Sequence, residues 1–296
     1  MLSLLLGFEA RYQFKQFSFI LFTVFFFAYG VIITADGVGQ GMELLNLNSP
    51  YRINFFISIT SIAAILVSAI FCVNNVLRDK EYQFDSIVAC LAIEQRFLSR
   101  LLIAVISSLL IVSLISIGMF VGLFSPELDV DKVGLIEIGH YFKPWLLFVL
   151  PNVIGCTVLL FAITYKWQRS LVTYLAAVAM FILFWIFHVL IGAPIIGGTV
   201  SAQPELLQWL AIIDPFGVSA FFEKSQFWTP IQKNKLTISF EGSIIWNRLI
   251  WMSISLLVFF KLKKSLSKPS FLESSNQSAG SANKESVFTL VRSLTK

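Results

Sequence analysis

Charge is what this sequence has least of. Only 13% of its 296 residues are Asp, Glu, Lys or Arg, about half the share of a soluble domain, while 57% are hydrophobic and 30 are phenylalanine. Such a chain cannot cover itself with a hydrated, charged surface. That excludes an ordinary soluble domain and points to repeated membrane crossing. Histidine is scarcer still. His140 and His188 stand far apart with no His-Glu-x-x-His spacing, which excludes a zinc-protease helix. The three cysteines, Cys72, Cys90 and Cys156, show no Cys-x-x-Cys spacing and read as small apolar filler rather than as a disulfide framework or zinc site. The glycine-rich DGVGQG stretch beginning at Asp36 lacks the spacing and the Lys-Ser/Thr ending of a phosphate loop, so no ATP cradle of that kind is encoded. There is no Gly-x-Ser-x-Gly elbow, and no dense basic face with interleaved aromatics, so nucleic acid is not an expected partner.

What is present is a series of apolar runs long enough to cross ~30 Å of hydrocarbon. Spans are expected at 17–35, 53–73, 101–123, 144–165, 171–191 and 243–260, with Trp145, Trp167, Trp246 and Trp251 near their ends, where indole favours the interface. No small-residue cleavage site follows the first run, so it is expected to stay as an anchor. Charge bias orients the spans. With the N-terminus inside, the inner segments carry twelve Lys or Arg and the outer ones six, and six spans place both termini in the cytoplasm of a cell inner membrane. These runs hold almost no ionisable residues, which argues against an ion-coupled carrier with a binding site at membrane depth. The two that stand out have simple readings. His188 is expected to be neutral and bonded to a neighbouring carbonyl, and Arg248, one turn into the sixth span, to snorkel outward.

Residues 1–16 place Glu9, Gln13 and Gln16 on one side of a helix and Arg11 and Lys15 on another, the pattern of a short interfacial helix feeding the first span. Residues 74–100 are the long polar interruption on the inner side. There Phe84, Ile87, Val88, Leu91, Gln95 and Leu98 fall on one helical arc, and Glu81, Asp85, Arg96 and Arg100 on the opposite one. An amphipathic helix tethered at both ends by spans is placed to receive a push from a soluble partner. The alternative is a helix lying in the headgroup layer with no further role. Outside, 192–242 is long but partly apolar. Pro204 opens one short helix, and Asp214 with Pro215 reads as the N-cap and first-turn pair of a second. Two helices too short to span predict a re-entrant or interfacial hairpin, with an ordinary packed loop as the alternative. From 263 to 296, Ser, Asn, Gly and Lys dominate, as in a flexible tail or linker.

In this order the features resemble ABC-2 type exporter permeases. They are the interfacial helix, two spans, the Arg78-Asp79-x-Glu81 loop, two spans joined by a minimal basic turn, and a partly apolar outer segment before the last span. A narrower likeness, carried by Asp214-Pro215-Phe216-Gly217, Lys233-Asn234, Glu241-Gly242 and Asn247-Arg248, is to the first permease half of fusion proteins with a zinc aminopeptidase. The resemblance implies an all-α six-span permease at 17–262 that pairs as a homodimer or heterodimer with a second half. It implies membrane lipid and an ABC ATP-binding subunit as partners, with ATP and Mg on that subunit and no cofactor in this chain. It also implies that Arg78, Asp79, Glu81, Asp85, Glu94 and Arg96 couple to the ATPase, and that Asp214, Pro215, Phe216 and Gly217 belong to an outer gate. The competing expectation is a membrane scaffold that anchors a partner enzyme without transporting anything.

Overall fold

Six helices are long and apolar enough to cross a membrane, at Phe17–Ala35, Pro50–Glu81, Ile93–Gly122, Gly139–Trp167, Ser170–Leu190 and Ser243–Ser265. This computed structural model describes residues 2–37, 42, 44–82, 93–126, 128–191 and 203–266, and among them no strand occurs. The protein is an all-α, multi-pass membrane protein. Its helices are α1 (Leu2–Phe14), α2 (Phe17–Ala35), α3 (Pro50–Thr60), α4 (Ala64–Glu81), α5 (Ile93–Gly122), α6 (Gly139–Pro144), α7 (Leu150–Trp167), α8 (Ser170–Ile191), α9 (Pro204–Ile213), α10 (Val218–Ser225), α11 (Pro230–Lys235) and α12 (Ser243–Leu266). The α3–α4 span is the most enclosed. It packs against α5 and α7, while α8 and α12 flank the bundle with most of their length open to lipid.

Two spans are broken in mid-course, each for a local reason. Between α3 and α4 the chain tightens into a 3₁₀ turn at Ser61–Ala63. The hydroxyls of Ser58 and Ser61 donate back to the carbonyls of Phe55 (3.0 Å) and Ser58 (2.6 Å), a competition for backbone acceptors that bends helices. Between α6 and α7 the chain widens into a π turn at Trp145–Val149. Pro151 has no N–H to give the carbonyl of Leu147, so the regular ladder fails there.

The seam between α2 and α5 is built on absent side chains. A Cβ on Gly30 would stand 2.5 Å from the carbonyl oxygen of Ile115, and one on Gly122 2.7 Å from that of Val31. Gly118 lies equally close to the carbonyl of Phe27. Small residues one helical turn apart let two backbones touch, which is how helices associate in lipid without a hydrophobic drive.

The spans run further than the hydropathy suggested. The second continues as helix to Glu81 and the third begins at Ile93, so residues 74–81 and 93–100 extend the bundle instead of forming a separate loop helix. Charged residues at these ends stay helical because they find partners on neighbouring helices, described below. Phe84, Ile87, Val88, Leu91, Asp85 and Cys90 lie outside the described residues, as do 192–202 and 267–296. Cys72 and Cys156 are buried and unpaired, as apolar filler should be.

The two short helices expected between 192 and 242 are present as α9 and α10, and Pro204 opens α9. Asp214 differs from expectation. Its carboxylate does accept from the helix end, at Ser219 N (2.9 Å), but Oδ1 also takes Phe216 N (2.9 Å), so Asp214 and Pro215 form a turn ahead of the helix. A third helix, α11, was not anticipated, although Thr229-Pro-Ile-Gln232 spells its capping box. Asn234 accepts from Asn46 N at 2.9 Å, tying α11 to the loop before α3. Lys233 lies over the Tyr51 ring at 4.4 Å, where burial pushes its ammonium below the ordinary lysine range.

Gly118→Ala is expected to lower stability in detergent micelles by about 1–3 kcal/mol through overpacking. Gly7→Ala, where a Cβ meets nothing within 4 Å, should be neutral or stabilising by up to about 1 kcal/mol. Thermal unfolding of the two variants checks this, and an unshifted Gly118→Ala midpoint would overturn the close-contact reading of the seam.

Candidate functional site

Two polar clusters are buried in this apolar protein, one at each end of the bundle. The first, called inner here after the side that the charge bias predicts, starts from Arg100, on the second turn of α5 and 7% exposed. A guanidinium cannot shed its proton, so a buried one needs acceptors. Arg100 Nη2 donates to Asp79 Oδ2 on α4, and Nε to Glu9 Oε1 on α1 at 3.4 Å. The same Glu9 oxygen accepts from Arg78 Nη2 at 2.9 Å. Two acids and two arginines balance. Polar amides extend the cluster, with Asn74 donating to Gln16 at 3.0 Å and Gln13 to Gln16 at 3.1 Å. The Arg78 guanidinium also lies over the ring of Tyr12, 4.3 Å from its centre. Through Glu9, α1 therefore holds both helices that flank residues 83–92.

Of the coupling residues expected from sequence, Arg78 and Asp79 belong to this cluster. Glu81 and Glu94 do not. Both are exposed, at the end of α4 and the start of α5, while Arg96 is half-buried one turn before Arg100. Asp85 lies outside the described residues. Sequence reading did not single out Glu9 or bring Arg100 to the α4 acid. The only hint was the Glu9, Gln13, Gln16 stripe on a helix whose other side is apolar and basic.

The outer cluster is centred on Asn152, just past the π turn. Its amide nitrogen donates to Ser61 Oγ (2.8 Å) in the 3₁₀ break and to the Phe216 carbonyl (3.0 Å) in the hairpin. Its oxygen accepts from Arg248 Nη1 on α12 at 2.8 Å. Both mid-span irregularities, the hairpin and the sixth span thus meet on one side chain. Asn247, beside Arg248, donates to the carbonyls of Ala211, Ile212 and Asp214 at 3.0, 3.0 and 2.8 Å, capping the end of α9. Ser219 sits between the Asp214 carboxylate (3.0 Å) and His188 Nε2 (2.9 Å), while His188 Nδ1 bonds the Phe184 carbonyl at 2.9 Å, in keeping with the simple reading of that histidine.

Asp214, Pro215, Phe216 and Gly217 are the turn around which this cluster is built. Gly217 has a φ of +70°, and a Cβ there would fall on the Arg248 guanidinium. Arg248 corrects the sequence reading. It turns inward, with Nε and Nη2 buried, where snorkelling to the interface was expected. The wider expectation that the spans hold almost no ionisable group fails for the same reason. Asp79, Arg100 and His188 are all buried within spans, because the helices run further than the apolar stretches and fold charges against one another. The Ser219, His188 and Asp214 contact is not a hydrolytic triad. The carboxylate faces the serine, the outer imidazole nitrogen is taken by a carbonyl, and all three side chains are buried. Among the described residues no group of three or more His, Cys, Asp or Glu is placed to hold a metal ion.

Removing one member from either cluster strands its partners. Asp79→Asn is expected to cost about 3–5 kcal/mol by leaving Arg100 under-compensated. Asn152→Leu should cost about 2–4 kcal/mol by orphaning Arg248 Nη1, the Ser61 hydroxyl and the Phe216 carbonyl. Glu81→Gln, on an exposed helix end, should fall within about 0.5 kcal/mol of the parent. Denaturant unfolding in mixed micelles separates the three, and equal stability of Asp79→Asn and Glu81→Gln would contradict the inner cluster.

Comparison with family models, with curated proteins and with solved structures gives no match for this chain.

Proposed function

We propose that this chain is the membrane-spanning permease subunit of an ATP-driven exporter of the ABC-2 type, working with a separate nucleotide-binding subunit. The carrying observation is the inner cluster. Glu9 joins α1 to the two helices that flank residues 83–92, so a push delivered at that end reaches the first three spans together. Glu81 and Glu94 stand exposed beside the buried quartet and provide the docking charges. Arg78 and Asp79 act behind them as the tie that passes the displacement on. At the far end, the Asn152 cluster links α4, α7, α12 and the hairpin turn, and this is the set of elements a gate must move together. ATP and Mg belong to the partner subunit, and the cargo leaves toward the hairpin side. The orientation follows the charge bias, with both termini cytoplasmic. The functional unit is a pair of such halves.

Affinity purification of the chain from its native membrane, with the co-purifying polypeptides assayed for ATP hydrolysis, tests this. A one-to-one complex is expected. Glu81→Lys with Glu94→Lys should reduce ATPase capture about tenfold or more, since reversed interface charges act on association. The variant should unfold at the parental temperature because neither residue is buried. Stable single chains that capture no ATPase would favour the membrane scaffold.

A further inference from the structure

Helix α1 is inverted relative to the amphipathic helix of a soluble protein. Its inward side is polar, with Glu9 4% exposed and Gln13 fully buried. Its outward side is apolar and basic. Leu4 is 78% and Phe8 63% exposed, and Arg11 and Lys15 are exposed on the same stripe, at i, i+4, i+7 and i+11. Arg78 reaches the edge of that stripe, its guanidinium 5.9 Å from the Phe8 ring centre, and leaves Phe8 mostly exposed. The Phe14 and Phe19 rings lie 4.9 Å apart, tilted at 50°, which packs the end of α1 against the start of α2.

The same end of the molecule is basic elsewhere. The Phe97 ring meets Tyr165 at 5.7 Å and Phe259 at 6.3 Å, which brings the α7–α8 turn and the last turns of α12 to the level of α5's first turns. Lys166 and Arg169 in the turn, and Lys261, Lys263 and Lys264 in α12, are all exposed, and neither segment carries an acid. An apolar face bordered by cations, at the end of the molecule that also carries these lysines and Arg169, is complementary to a negatively charged lipid surface.

We propose that the outer face of α1 docks into a leaflet of anionic phospholipid, and that Glu9 on its opposite face relays the docked position to Arg78 and Arg100. Leu4, Phe8 and Phe14 enter the acyl boundary while Arg11 and Lys15 take the headgroup phosphates. When α1 lifts, Glu9 leaves both guanidiniums and the start of α5 loosens. The proposal is independent of the exporter reading, because it uses only α1, its lipid and the inner cluster. Roughly 1 kcal/mol per basic residue at an anionic surface makes Arg11 and Lys15 together worth about 30-fold in the docking equilibrium at low salt.

Hydrogen exchange of the whole chain in nanodiscs tests it, comparing pure phosphatidylcholine with a mixture containing roughly one-third phosphatidylglycerol. Amides of α1 and of residues 93–100 are expected to exchange up to about 30-fold more slowly in the anionic discs, with the difference shrinking as salt is raised. Arg11→Gln with Lys15→Gln should exchange alike in both discs. Glu9→Gln should keep the lipid dependence in α1 and lose it at 93–100. The proposal fails if wild-type α1 exchanges alike in both discs, if the double variant keeps the full response, or if the 93–100 response survives Glu9→Gln.

Discussion

A buried guanidinium governs the inner half of this protein. Arg100 lies in the wall of an apolar bundle, and its charge cannot be neutralised by releasing a proton. The cost of that burial is met by carboxylates, and each carboxylate so recruited fixes another element. Asp79 fixes the end of α4, and Glu9 fixes α1. Arg78 then completes the balance against Glu9. Remove the charge on Arg100 and Glu9 and Asp79 are left to share Arg78 alone, so the cluster loses the cation that joins α5 to α1 and α4.

The outer half follows the same rule with amides in place of ion pairs. Asn152 offers two donors and an acceptor, and all are used: the amide nitrogen donates to Ser61 in the other broken span and to Phe216 in the hairpin, and the oxygen accepts from Arg248 on α12. A 3₁₀ break and a π turn are weak points in a helix. Placing both against one well-bonded amide gives the two spans a shared pivot while keeping their freed backbone groups out of the lipid. The edge-to-face contact of Phe184 with Phe216, at 5.2 Å, packs the hairpin turn against α8 beside the same cluster.

The spans, the helix α1, the short α9 and α10 and the burial of Cys72 and Cys156 were legible in the sequence, because each depends on local composition or a local signal such as Pro204. Span ends were not. Hydropathy stops at the first charge, whereas Arg78, Asp79 and Arg100 continue as helix because partners distant in sequence compensate them. Arg248 misled for a related reason. A charge one turn into a span normally reaches for water, and only the space left by Gly217 and the acceptor on Asn152 allow it to turn inward. The α11 capping box was fully local and was readable from Thr229 and Gln232.

The α2–α5 seam has a mechanical consequence. Backbone meets backbone at Gly30 and Gly118, so no rotamers stand between the two helices to flex or ratchet. The pair behaves as one strut, and shear within it would drive carbonyl oxygens into α-carbons. Any change of shape in this bundle is therefore diverted to seams padded by side chains, such as the one where Ser68 and Thr157 share a hydroxyl bond between α4 and α7.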